Sequence, residues 1–132
     1  MQTTNAVSHF EIYGDAPDKL AQFYTSLFDW SIEPMPGTDY QLIRTVDTDA
    51  NGRPVQLGGI NGGMLSVPGF RPGAWVSYVN VESVDGSLAR AQKLGAKVTK
   101  GKTPVPGMGW FAMMVDPQGN NFAIFQPDSQ AK

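Results

Sequence analysis

The sequence predicts an α+β fold made of two tandem β-α-β-β-β modules, on three observations. First, the strand-like His9-Phe10-Glu11-Ile12-Tyr13 leads into a helix ending near Leu27, and 67 residues later Val76-Ser77-Tyr78-Val79-Asn80 leads into a helix ending near Leu94. Second, the same offset carries Asp49-Ala50-Asn51-Gly52 onto Asp116-Pro117-Gln118-Gly119. Third, the identities at that offset (Asp18 with Asp85, Leu27 with Leu94, Asp49 with Asp116, Gly52 with Gly119) fall at helix starts, helix ends and turns, where backbone geometry restricts residue type. At 132 residues and 41% hydrophobic content, the chain can bury one core that two half-length units would share. A single domain over 1–132 is expected, with module 1 over about 5–62 and module 2 over about 74–127.

Residues 7–13 alternate as a strand, with Phe10 and Ile12 on one face and the polar His9, Glu11 and Tyr13 on the other. Pro17 at a first helical turn and Asp18 at the positive end of the dipole open a helix carrying Leu20, Phe23, Tyr24, Leu27 and Phe28 at helical spacing. That stripe is expected to be core, as are Leu88 and Leu94. Residues 30–33 and 40–45 read as strands around a Pro34-Met35-Pro36-Gly37 turn, and the turn at 47–52 leads into a strand from Val55. A Gly/Pro-rich joint over 62–73 separates the modules. The second module repeats the order: a strand over 75–81, a helix over 83–94 stopped by Gly95, then strands over 97–99, 110–115 and 121–126.

Composition restricts the function. Net charge is −2 and the ten Lys and Arg are scattered, so nucleic acid and anionic membranes are not expected partners. With no cysteine, disulfides, thiolate metal sites and a Cys nucleophile are out. The chain has no apolar run long enough to span a bilayer and no signal-like start, and a cytoplasmic location is expected. Asp47-Thr48-Asp49-Ala50-Asn51-Gly52 imitates half of an EF-hand loop, but position twelve is Gly58 and the flanks are strands, so a hairpin turn explains it better. Met108, Met113 and Met114 with Trp110 and Phe111 offer an apolar lining for an aromatic ligand, though alternation sends only half of them to one face.

His9-Phe10-Glu11-Ile12, Phe23-Tyr24 with Leu27-Phe28-Asp29-Trp30, Val84-Asp85 with Leu94-Gly95, and Gly109-Trp110-Phe111 with Asp116-Pro117-Gln118-Gly119-Asn120 resemble the glyoxalase, bleomycin-resistance and extradiol-dioxygenase (vicinal oxygen chelate) superfamily, most of all its small lactoylglutathione-lyase-related members. The resemblance implies that two modules curl into a cupped half-barrel sheet, that chains dimerise, and that active members hold a divalent metal through four ligands, on the first and last strand of each module. Carried over, those positions are His9, Gln56, Val76 and Ala123. Val and Ala coordinate nothing, which leaves too few donors for zinc, magnesium or manganese, so no metal and no cofactor are expected. The polar strand face makes His9, Glu11, Tyr13, Gln56, Tyr78, Asn80 and Trp110 the candidate ligand-binding residues, with Glu11 and His9 as candidate base and partner. Two functions stay open: a metal-independent binder of small hydrophobic or aromatic molecules, and a small-molecule enzyme, lyase- or dioxygenase-related. A structural module is a third. Open sheet edges and surplus aromatic and Met side chains point to a homodimer.

Overall fold

Residues 5–132 are described by the structure, a computed structural model, and they fall into two units. One comprises residues 9–75. The other comprises residues 76–132 together with the short stretch before His9.

In the first unit, β1 (Val7–Tyr13) is followed by α1 (Pro17–Leu27), β2 (Ser31–Pro34), β3 (Gln41–Arg44) and β4 (Asn61–Leu65). The sheet order is β2-β3-β4-β1, with β4 parallel to β1 and the other pairs antiparallel. Phe10, Ile12, Ile43 and Met64 form its buried core, covered by Leu20, Ala21 and Tyr24 of α1. Pro17 and Asp18 open that helix as expected, and no side chain caps it.

The second unit runs β5 (Val76–Asn80), α2 (Val84–Lys93), β6 (Lys97–Val105), β7 (Gly109–Val115) and β8 (Asn121–Pro127). Its order is β5-β8-β7-β6, again with the closing strand parallel to the first. Ser83 caps α2 by accepting from the Gly86 N–H at 3.0 Å, and Gly95 stops it at φ +103°. Val81, Val84, Ala112, Met114 and Ile124 make the core on the α2 side, with Leu88 packed against it. Each unit is thus the β-α-β-β-β module that the repeat predicts, and the fold is α+β.

Four expectations need correction. Phe23, Leu27, Phe28 and Leu94 are 57%, 59%, 45% and 75% exposed and are not core. The face of α1 that meets its sheet is narrower than its apolar stripe: Leu20, Ala21 and Tyr24 already cover the buried four, and the aromatic side chains beyond them stack on one another, Phe23 edge-on to Tyr24 and Phe28 on Trp30. The strand expected from Val55 begins only at Asn61; Val55 and Leu57 are exposed. Gly62 and Gly63 belong to β4 and not to a joint, because a Cβ at 62 would strike the Phe10 carbonyl oxygen and ring, and one at 63 the Tyr40 phenol. Finally, β6 reaches Val105 instead of Thr99, its ladder interrupted by two register shifts around Lys100 that hid its length from the pattern.

Candidate functional site

The polar face of β1 is built as its alternation requires. Phe10 and Ile12 turn toward α1, so His9, Glu11 and Tyr13 share the face opposite that helix. Glu11 is only 7% exposed and is the sole buried charged residue among those described. A buried carboxylate needs donors, and two phenols supply them: Tyr13 OH donates to Oε1 at 2.7 Å and Tyr40 OH to Oε2 at 2.9 Å. Tyr40 OH also lies 2.8 Å from His9 Nε2, whereas His9 Nε2 and Glu11 Oε2 are 3.8 Å apart. His9 therefore reaches the carboxylate through Tyr40.

Tyr40 was not legible as a site residue. It precedes β3 by one position, and what brings its ring over the site is Gly63, which pairs with Glu11 across β1 and β4 and leaves its Cβ volume to the phenol. Burial chiefly, then the charge of Glu11 and its hydrogen bond, then Tyr13, hold the Tyr40 phenol far above the usual tyrosine range. It stays protonated and acts as a donor. Beside it, Asn61 pairs with His9 in the ladder; its Oδ1 accepts from the backbone N–H of Thr45 at 2.8 Å and of Val46 at 3.1 Å, while its buried Nδ2 has no hydrogen-bond partner among the described residues. The segment before β5 closes over the other end: Phe70 meets Tyr13 edge-on at 4.9 Å, and Arg71 pairs with Asp15.

The remaining sequence candidates lie elsewhere. Gln56 is exposed in the turn before β4. The pairing of Glu11 with Gly63 matches that of Tyr78 with Ala123, so the position in β4 equivalent to Ala123 is Gly63 and the offset there is 60, not 67. In the second unit Tyr78 is buried near Phe111, ring centroids 6.4 Å apart. Asn80 is engaged by the start of the chain: its Oδ1 accepts from Ser8 Oγ at 2.9 Å and its N–H donates to the Ala6 carbonyl at 2.9 Å. Trp110 packs against the α2-side core and donates Nε1–H to Asp128 at 3.0 Å. It sits on the face of β7 opposite Phe111.

The positions that the resemblance assigns to a metal, corrected for register, are His9 and Gly63 in the first unit and Val76 and Ala123 in the second. Val76 and Ala123 are 1% and 0% exposed and carry no donor atom, and the space at Gly63 is taken by the Tyr40 phenol. One imidazole is left, and these residues do not fit a divalent metal.

The comparisons agree with this fold. A solved member of the glyoxalase/bleomycin resistance protein/dioxygenase superfamily from Vibrio splendidus is similar at TM-score 0.58 and 12% identity, covering 89% of this chain and 95% of that one. The Mn(II)-bound glyoxalase of Novosphingobium aromaticivorans is similar at TM-score 0.56 and 14% identity, over 93% of this chain and 38% of that one. Among curated proteins, "Putative glyoxylase CFP32" of Mycobacterium bovis is 29% identical over 125 residues, which are 91% of this chain and 43% of that protein. The chain thus spans less than half the length of the curated relatives it matches. No helix among the described residues is long and apolar enough to cross a membrane. The family model described as "Glyoxalase-like domain" matches residues 11–125, which encloses nearly every element above, and the chain belongs to that glyoxalase-like family.

Proposed function

We propose that this chain binds a small organic molecule through the His9, Glu11, Tyr13 and Tyr40 array of its first unit, without a catalytic metal. The observation that carries this reading is the buried Glu11 carboxylate, held by two phenols on the sheet face that α1 leaves uncovered. Burying a carboxylate is costly, and a purely structural strand position would be filled more cheaply by an apolar side chain. Polar groups converging among aromatic rings, here Tyr13 and Phe70, are what orients a ligand in an apolar site. The Tyr13 and Phe70 rings beside the array favour a hydrophobic or aromatic ligand. A homodimer fits the exposed Phe23, Leu27 and Phe28.

One observation favours a second reading, a metal-free acid–base enzyme: the continuous chain from His9 Nε2 through Tyr40 OH to Glu11 Oε2 is one along which a proton can be held or moved. The "glyoxylase" name of the curated relative points the same way.

Thermal unfolding against a panel of aromatic and hydrophobic compounds tests the proposal, since a ligand of the folded state raises Tm by mass action. Glu11→Gln separates the two readings. In a binder it changes affinity, most for cationic ligands; in an enzyme using Glu11 it lowers turnover about 10²–10⁴-fold with binding largely kept. No stabilisation by any compound would leave the structural module.

A further inference from the structure

We infer that Tyr40 is a positioning residue that sets the tautomer of His9, so that Nδ1 is the basic atom of the chain's single imidazole. A phenol has one proton, and that of Tyr40 is donated to Glu11 Oε2 at 2.9 Å. Toward His9 Nε2, 2.8 Å away, the Tyr40 oxygen is then only an acceptor. Nε2 must carry the hydrogen, and in the neutral ring the lone pair falls to Nδ1. Glu11 does not impose this directly, because its Oε2 stands 3.8 Å from Nε2, outside hydrogen-bond range.

Three residues make the arrangement. Glu11 orients the Tyr40 proton, Tyr40 relays that polarity to His9, and Gly63 leaves the room: a Cβ there would overlap the Tyr40 hydroxyl and ring. In the neutral ring Nδ1 is therefore a hydrogen-bond acceptor toward whatever meets it. A ligand that engages that atom does so with a hydroxyl, an amine or amide N–H, or an acidic C–H, and not with a bare carboxylate or carbonyl. This meaning for ligand class rests on the proposed binding role of His9, but the tautomer is measurable without any ligand, so the two readings fail separately.

The test is a long-range proton–nitrogen correlation spectrum of ¹⁵N-labelled, ligand-free protein, recorded across a pH series and read at the pH where the nitrogen shifts themselves report a neutral ring. One histidine in the sequence makes assignment unambiguous. The wild type should show a protonated Nε2 and a lone-pair Nδ1. Tyr40→Phe and Gly63→Ala, which remove or evict the phenol, should each lose that single-tautomer pattern. A wild-type ring protonated at Nδ1 overturns the inference, as does an unchanged pattern in Tyr40→Phe, which would make Glu11 the group that sets the ring. Should Gly63→Ala not fold, the wild type and Tyr40→Phe decide the matter by themselves.

Discussion

Alkaline pH should destabilise this protein through Tyr40, and Tyr40→Phe should remove that part of the loss. The phenol is buried against a carboxylate to which it donates, and both effects hold its proton in the folded state. In the unfolded chain tyrosine ionises near about 10. Below that value both states keep the proton and Tyr40 adds no pH dependence. Above it the unfolded chain has released a proton that the folded chain retains, so fewer protons are bound in the unfolded state and stability falls as pH rises. Each pH unit then costs about 1.4 kcal/mol. Between about pH 10 and 11.5 the loss amounts to about 2 kcal/mol, or roughly 6–10 °C in Tm for a chain of this size. Urea-unfolding midpoints of both proteins across this window measure it, and the other three of the four tyrosines are common to both. The Tyr40→Phe curve should be flatter by that amount. Parallel curves, or an absorbance titration in which all four tyrosines ionise together near the ordinary value, would refute the placement of Tyr40.

Other outcomes follow from the same geometry. Phe23→Ser on the exposed side of α1 should change monomer stability by no more than about 0.5 kcal/mol, whereas Met64→Ala, at a fully buried position, should cost about 2–5 kcal/mol by chemical denaturation. If that α1 face joins two copies, light scattering should give a dimeric mass for the wild type, and Phe23→Ser with Leu27→Ser should shift it to the monomer. Because Val76 and Ala123 offer no donor and Gly63 lies under a phenol, EDTA should leave Tm unchanged; a stoichiometric metal found by elemental analysis would contradict the donor assignment.

Much of the fold was legible because its signals are local. The two turns matched at the 67-residue offset share their backbone-to-carboxylate hydrogen bonds: Asp49 Oδ1 accepts from the N–H of Asn51 and Arg53, Asp116 Oδ1 from those of Gln118 and Asn120, and Gly52 and Gly119 both take positive φ; the Asn120 side chain adds its own bonds to Asp116 in the second. Those contacts hold both carboxyls below the usual aspartate value. An Asx turn is written in four or five residues and can be read from them. Core membership is not so written. Nothing in the spacing of Phe23 and Leu27 tells how wide a sheet lies under the helix, and four short strands are covered by three helix side chains. The site was half legible for the same reason. His9, Glu11 and Tyr13 announce themselves by alternation within one strand, while Tyr40 arrives from 29 residues away by a route that only Gly63 opens.

That route depends on a difference between the modules. After their matched turns the second unit enters β8 within two residues of Gly119, whereas the first inserts an exposed detour before β4 starts at Asn61. The offset drops from 67 at the turn to 60 at the closing strand, so the detour is seven residues long. Asn61 and Ile60 fasten its exit: Asn61 Oδ1 takes the N–H groups of Thr45 and Val46, and Thr45 Oγ1 donates to the Ile60 carbonyl at 2.5 Å. The register that results puts a glycine, not a side chain, opposite Glu11. In the second unit the equivalent pair is Tyr78 with Ala123, where a buried methyl group stands in that place. One duplicated scaffold thus yields a carboxylate held by phenols in its first copy and an apolar face in its second. The two copies differ here in the first strand itself, His9, Glu11 and Tyr13 against Val76, Tyr78 and Asn80, and in the residue that the register sets opposite its centre, Gly63 against Ala123.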